Sequence, residues 1–383
     1  WLIQVVNILT GNLDRPGGSM FALPAFDLIA QQVARNKRGS FGRWKSRLGG
    51  LPEFGGELPV AVMASEMLTP GEGQIRAMVT SAGNPVLSVP NGAQMDEALA
   101  GLEFMVSIDI YINETTRHAN IILPPATGLE TDHYDMIFHF FAVRNTARYS
   151  PVLFEKTTEQ RHDWEIFREL ASRMSSTDKN KLSPKQMLAY ALPFGPYAKQ
   201  ELTLESLLEN PQGIDLGPLQ ACLPERLFTS DQKIDLVPDI FVADLGRLDA
   251  QQATDPESFL LIGRRQLRSN NSWMHNSYRL VKGNERCTLL IHPEDAESRN
   301  IKNGQAVRVQ SAVGEVTLPA EITEEMMPGV VSIPHGWGHK RKGIRLSVAE
   351  KHAGVSINDL TDESQIDRLS GNAVFSGIPV SLH

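Results

Sequence analysis

Cysteine is nearly absent from this chain. There are two in 383 residues, Cys222 and Cys287, far apart and with no C-x-x-C pair. That excludes a disulfide scaffold, and it excludes an iron–sulfur or zinc cluster built from these residues. Both cysteines read as buried small hydrophobes. Long apolar runs are also missing; none approaches the ~20 residues of a membrane span. No run of Lys and Arg occurs and the net charge is −8, so there is no basic footprint for nucleic acid. Internal repeats and low-complexity tracts are absent. The sequence opens Trp1-Leu-Ile-Gln-Val-Val-Asn-Ile-Leu9 without Met, and no basic stretch or cleavage site marks a signal peptide.

What is present is the composition of a soluble enzyme, 41% apolar and 21% charged. The length suits two or three cores of about 150 residues each. Leu2, Val5, Val6 and Leu9 fall at i, i+3, i+4 and i+7, the face of an amphipathic helix. No capping residue precedes it, so the natural chain is expected to continue upstream.

Residues 1–175 read as α/β. Residues 75–80 form an expected strand running into the turn Ser81-Ala-Gly-Asn-Pro85. Residues 94–102 read as a helix with Met95, Ala98, Leu99 and Leu102 on one side, and residues 104–110 as the next strand. Strand, helix and strand at this spacing make a parallel βαβ unit. A polar loop, a short helix and a second apolar strand then run into Pro124-Pro125. Residues 33–58 are rich in Gly, Arg and Lys, with Phe41, Trp44 and Phe54 among them, and read as a surface arm or partner-contacting segment. Residues 163–174 are an amphipathic helix and 175–180 a polar link. Residues 176–255 read as a helical and irregular connector. From 256 to 383 the runs are short and apolar, at 259–263, 287–291, 306–311, 315–322 and 330–334, with Gly and Pro turns between them. That pattern implies a barrel or sandwich.

Four groups of residues could carry chemistry. Gly83-Asn84-Pro85 directly follows a strand, where backbone N–H groups can approach a ligand. Asp109 ends the next strand; open α/β sheets bind ligands at such ends. A carboxylate there can accept from guanine N1–H and its amine, or it can cap the following turn. The third group is Gly263-Arg-Arg-Gln-Leu-Arg-Ser-Asn-Asn-Ser-Trp-Met-His275. Arg264, Arg265 and Arg268 can clamp pyrophosphate with forked hydrogen bonds. Ser269, Asn270 and Asn271 add neutral donors and acceptors for a heterocycle edge. In an acidic protein this mixture reads as a ligand site rather than a solvated loop. The fourth is His335-Gly-Trp-Gly-His339. Its histidines are spaced i, i+4 as in a zinc helix, but Gly-Trp-Gly argues against a helix.

Several of these segments resemble the molybdopterin-dependent oxidoreductases of the formate dehydrogenase, nitrate reductase and DMSO reductase type. The shared pattern is a strand ending in Asp109, the turn Glu114-Thr115…Ala119-Asn120, and a strand running into Leu123-Pro124. The Arg loop at 263–275 follows, then Val355-Ser-Ile-Asn358-Asp-Leu-Thr361, then a strand expected at Ser370-Gly-Asn372-Ala-Val374. The resemblance runs from Thr10 to Val380. It implies an α/β fold: a Rossmann-like parallel-sheet domain and a C-terminal double-psi-type β-barrel. The expected divisions are 1–175, a partial molybdopterin-cofactor domain; 176–255, the connector; and 256–383, the dinucleotide-binding barrel. The implied cofactor is molybdopterin guanine dinucleotide carrying molybdenum or tungsten. By the same resemblance Asn84, Asp109, Asp163, Asn358 and Asn372 contact the cofactor, and Trp337 packs near it. The family's [4Fe–4S] cysteines and metal-ligating Ser, Cys or selenocysteine are expected only upstream of Trp1. No metal ligand is identified here, and no catalytic residue.

The resemblance thus implies the C-terminal portion of an enzyme that carries out two-electron redox chemistry on a small substrate, with an electron-transfer partner subunit and a cytoplasmic location. Two alternatives stay open. One is a non-catalytic cofactor-binding subunit whose partner chain carries the cluster and metal ligand. The other is a non-redox member such as a hydratase or transhydroxylase.

Overall fold

The computed structural model describes residues 1–37, 39–174, 182–249 and 258–383. They form two compact units, each drawn from two stretches of sequence: residues 1–38 with 125–252, and residues 39–124 with 253–383.

In the first unit the opening helix runs Leu2–Leu9, as the apolar spacing predicts. Its apolar residues stay out of the core: Leu2, Val6 and Leu9 are 51%, 59% and 71% exposed. The preceding Trp1 donates its indole N–H to the Leu236 carbonyl at 3.1 Å and packs against Phe241. The core of this unit joins Ala147 and Tyr149 to Leu188, Leu192, Tyr197, Leu202, Leu204 and Leu207. Six of those eight side chains come from the stretch read as a connector. Its helix Pro184–Ala191 starts on a reciprocal cap between Ser183 and Gln186, with Pro184 at the first helical position. Strand Arg144–Ala147 pairs antiparallel with Ile214–Pro218. The amphipathic helix stands at Asp163–Met174. The polar link expected at 175–180 lies outside the described residues.

The second unit contains a parallel sheet and a barrel. The sheet strands are β1 (Ala77–Ser81), β2 (Phe104–Ile108) and β3 (Ile121–Leu123), in that order and all parallel. The helix Gly92–Ala100 makes the crossover from β1 to β2. It is capped by Asn91, whose side chain accepts from the Gln94 N–H. Met95, Ala98 and Leu99 pack beneath the sheet with Met105, Val86 and Met67. The i, i+3, i+4 spacing is thus realised as one buried helix face. The segment at 33–58 folds in part into a hairpin, Phe41–Lys45 with Pro52–Phe54, on which Phe41 and Phe54 meet edge-on.

The barrel strands are β4 (Phe259–Arg264), β5 (Leu289–Ile291), β6 (Ala306–Gln310), β7 (Glu315–Ile322), β8 (Val330–Pro334) and β9 (Ser376–Leu382). They close in the order β4-β8-β5-β7-β6-β9. Two pairings are parallel, β4 with β8 and β5 with β7; the others are antiparallel. Alternation decides which side chains turn inward. In β6, Val307 and Val309 are buried and face Leu318 and Val316 of β7. The last strand departs from expectation. It begins at Ser376 rather than at Ser370, because residues 367–373 are held in a turn in which the Asp367 and Asn372 backbones bond at 2.8 Å.

One close approach fixes the loop after β8. Gly354 has φ +58°, and a Cβ there would lie 2.3 Å from the Trp337 ring and 2.7 Å from Cys287 Sγ. Trp337 is thereby wedged into the barrel core with Cys287 and Leu289. Gly354→Ala is expected to lower the unfolding free energy by about 2–4 kcal/mol, combining backbone strain with overpacking. Gly304 also has positive φ but open space around it; Gly304→Ala should cost about 1 kcal/mol. Urea unfolding midpoints compare the two. Equal losses would show that strain alone, and not the Trp337 contact, sets the cost.

Candidate cofactor site

The C-terminal ends of β1 and β2 face the two loops that leave β4 and β8. Asn84 precedes the four-residue helix Pro85–Ser88 that follows β1, and its side chain makes no capping bond to it. Its amide donates to Glu114 Oε2 at 2.7 Å, accepts from Thr115 Oγ1 at 2.7 Å, and lies 3.5 Å from Ser272 Oγ. Asp109 follows β2 and organises a turn. It accepts from the Tyr111 N–H at 3.1 Å and from Asn113 Nδ2 at 3.2 Å. Burial pushes its carboxyl above the usual range, against the pull of these donors. The same turn continues through Asn113, Glu114, Thr115 and Thr116, all buried. Asn113 Oδ1 accepts from the N–H groups of Thr115 and Thr116, so the turn carries its own cap.

Arg264 ends β4 and Arg265 follows it, and the two guanidinium groups reach different partners. Arg264 turns inward: its guanidinium donates to the carbonyls of Ser332, Thr288 and Arg286 and to Thr288 Oγ1, at 2.6–3.2 Å. Arg265 turns outward and donates to Asn271 Oδ1 at 2.6 Å. Asn270 and Asn271 take left-handed backbone, φ +40° and +61°, a conformation asparagine tolerates better than most residues. Gly336, at φ +95°, lets that loop seat on its backbone, since a Cβ there would lie 1.8 Å from the Asn271 carbonyl oxygen.

A cleft of about 350 Å³ opens beside this contact, with Arg265, Asn271, His335 and Asn358 as its polar walls and Ile357 and Phe375 as its apolar ones. Three residues singled out from the sequence therefore share one cleft: Arg265, Asn271 and Asn358. Asn358 is buried and also donates to the Leu87 carbonyl at 2.8 Å, tying the turn after β1 to the barrel. Ser269 is buried behind the loop; Arg268 and Asn270 are exposed on it. Trp337 is a core anchor, its ring 4.0 Å from that of His275. Asn372 is exposed in the turn before β9. Asp163 belongs to the first unit, at the start of helix Asp163–Met174. Among the described residues no group of three or more His, Cys, Asp or Glu side chains could hold a metal ion.

Behind the cleft lies a run of buried polar side chains. Ser269 Oγ is 2.8 Å from His275 Nε2, His275 Nδ1 is 2.9 Å from His339 Nε2, and His339 Nδ1 is 2.7 Å from Glu114 Oε1. Glu114 and His339 are 0% and 1% exposed. Burial by itself would raise the Glu114 carboxyl, but the hydrogen bonds from His339 and Asn84 hold it below its ordinary value. Burial pushes His275 down to about 3, helped by His339. Glu114, His275 and His339 are site residues that the sequence alone does not single out, although Glu114 lies in the turn motif, His275 closes the Arg loop and His339 belongs to the histidine pair around Gly-Trp-Gly.

The profile described as "Molybdopterin oxidoreductase" matches residues 1–173, and the one described as "Molydopterin dinucleotide binding domain" matches residues 259–379. The chain belongs to the molybdopterin oxidoreductase family. It is 28% identical to the F420-dependent formate dehydrogenase subunit alpha of Methanocaldococcus jannaschii, over 86% of this chain and 47% of that protein. It is 27% identical to the probable oxidoreductase YoaE of Bacillus subtilis, over 79% of this chain and 43% of that one. The chain spans about half the length of the curated relatives it matches. Among solved structures, acetylene hydratase from Pelobacter acetylenicus shares the fold, with a TM-score of 0.65 at 18% identity over 85% of this chain and 46% of that one. The cofactor of this molybdopterin oxidoreductase family and its dinucleotide-binding domain is the bis-pterin guanine dinucleotide of molybdenum or tungsten. The residues present fit part of it: a forked cation, two amides and an imidazole around a slot of heterocycle size.

The depressed His275 has a measurable consequence. As pH falls through its ordinary value of 6.5, the unfolded chain takes up a proton that folded His275 refuses down to about 3. This contribution to stability is therefore complete above the unfolded value and is lost as the pH drops below it, by up to about 1.4 kcal/mol per pH unit. His275→Gln should flatten that part of the slope when urea unfolding is compared at about pH 7.5 and about pH 5. An unchanged slope would show that His275 is charged in the folded protein.

Proposed function

We propose that the cleft beside Arg265 seats one nucleotide end of the bis-pterin guanine dinucleotide, and that the chain works in an enzyme for two-electron redox of a small substrate. The observation that carries the reading is the convergence of Arg265, Asn271 and Asn358 on one cleft of the matched dinucleotide-binding domain. Arg265 would hold pyrophosphate oxygens, a contact its planar fork suits. Asn271 and Asn358 would meet a heterocycle edge, each offering donor and acceptor in one plane. Ser269, Asn270 and Arg268 flank that contact. Asn84 and Asp109 belong to the proposal as the strand-end groups for a guanine. Arg264 and Trp337 serve it from behind, by fixing the loops. Asp163 and Asn372 enter on the family resemblance alone.

When bound, the metal-bearing cofactor supplies the two-electron chemistry, and the protein orients and encloses it. The metal ligand and the [4Fe–4S] centre would come from residues outside these 383. An electron-transfer partner is part of the proposal, because one relative is by name the alpha subunit of a formate dehydrogenase. The functional divisions would be the cofactor domain at 1–175, the segment 176–255, and the barrel domain at 256–383; the two profile matches, 1–173 and 259–379, support them.

The test separates two neighbouring arginines in the full enzyme. Arg265→Ala should leave the thermal unfolding temperature nearly unchanged, as exposed substitutions do, yet lower the guanine nucleotide released per folded protein. Arg264→Ala should destabilise the fold by about 3 kcal/mol, since it strips buried carbonyls of their donor. Its nucleotide content should then follow the folded fraction. Wild-type nucleotide content in Arg265→Ala would overturn the assignment of the cleft. A parallel pair tests Asp109. Asp109→Ala should release less guanine per folded protein than Asp109→Asn if the carboxylate faces the base. Equal content with equal loss of stability would leave it a turn cap.

A further inference from the structure

The buried run behind the cleft has two possible directions. An imidazole has two nitrogens, and in its neutral form one donates while the other accepts. In the first arrangement the Ser269 hydroxyl donates to His275 Nε2. His275 Nδ1–H then donates to His339 Nε2, and His339 Nδ1–H donates to Glu114. Adding one proton reverses every bond except the last. The new proton enters on His275 Nε2 and is donated to Ser269 Oγ. The proton formerly on His275 Nδ1 passes to His339 Nε2. One proton is gained and none is lost. His275 is neutral before and after, and the positive charge rests on His339 against the Glu114 carboxylate.

We propose that Ser269, His275, His339 and Glu114 form a one-proton store whose state sets the direction of the Ser269 hydroxyl at the cofactor loop. In the proton-poor state that hydroxyl is committed to His275. In the proton-rich state its hydrogen is free to point elsewhere, two residues from Asn271 in the cleft wall. These are positioning residues, and the proposal rests on the reading of the cleft only for what Ser269 then faces.

The surroundings favour this charge placement. The Glu114 carboxylate touches His339 at 2.7 Å, and its other oxygen is held by the neutral Asn84 amide. His275 is faced by Ser269, by the Trp337 ring, by the Gly336 carbonyl and by His339. The charged groups acting on it are Glu114, which favours a proton, and Arg286 and His339, which oppose one. No carboxylate is in hydrogen-bond contact with His275, whereas His339 has one in direct contact, so a charge on His339 is the better compensated.

The readout is the imidazole nitrogen signals of the ¹⁵N-histidine-labelled full chain across pH, assigned with His275→Gln and His339→Gln. In a single transition His339 should become an imidazolium while His275 moves its proton from Nδ1 to Nε2 and stays neutral. Ser269→Ala removes the acceptor of the swapped proton. It should lower the midpoint by about one pH unit, a tenfold loss of proton affinity; Ser269→Thr should restore it. A His275 that keeps one tautomer throughout, or that itself becomes charged, overturns the proposal, because fixed structural hydrogen bonds would behave so. The same titration is repeated with saturating GMP. A moved midpoint supports both the store and the cleft. A tautomer swap with an unmoved midpoint upholds the store and overturns the nucleotide reading of the cleft.

Discussion

A carboxylate without access to water governs the site. The two oxygens of Glu114 are divided between Asn84, at the end of the parallel sheet, and His339, in the loop after β8. A buried charge is tolerable only while its partners remain, and removing one partner typically costs 3–5 kcal/mol. The turn after β1 and the loop after β8 are therefore pinned to a single point. Asn358 adds a second tie, from the barrel to the Leu87 carbonyl. Arg341 adds a third by bonding both Asp96 and Asp359. The cleft is a consequence of these three ties.

Backbone contact does the remaining positioning. Gly336 accepts the Asn271 carbonyl at a distance no side chain would allow, and Gly354 leaves room for the Trp337 ring. Trp337 then packs on His275 with its ring tilted, so the loop from β4 and the loop from β8 are joined through ring contact as well as hydrogen bonds. Arg264 gives its donors to barrel carbonyls, while Arg265, just past the end of the strand, bonds Asn271 instead. A cation at the cleft is thus held by a neighbour that never reaches it.

Much of the architecture was legible from residue order. Met95, Ala98 and Leu99 announced the crossover helix, and alternation at Val307 and Val309 announced a barrel strand. Patterns with a period are readable because burial repeats along the chain. The Arg loop was also legible as a ligand loop, from its composition. Which arginine faces outward was not, because that depends on the inward acceptors Ser332 and Thr288, 68 and 24 residues away. Nor was the side-chain run behind the cleft, whose members are separated by 64 and 225 residues. The strand read at Ser370 was misplaced because two Ser-Gly pairs lie six residues apart, and only the barrel pairing selects Ser376. The leading helix shows the opposite failure. Its periodicity is real, but in this structure its apolar face is not covered.

The Glu114–His339 contact also sets an order of events during synthesis. Its two partners are 225 residues apart in sequence. At about 5–20 residues per second the ribosome takes roughly 10–45 s to travel between them. For most of that interval the strands of the parallel sheet have been made, but the imidazole that satisfies the buried carboxylate has not. The turn around Glu114 must stay open to water, or keep its carboxyl protonated, until the barrel arrives. Late translation of the barrel thus defers closure of a part of the chain that was made first.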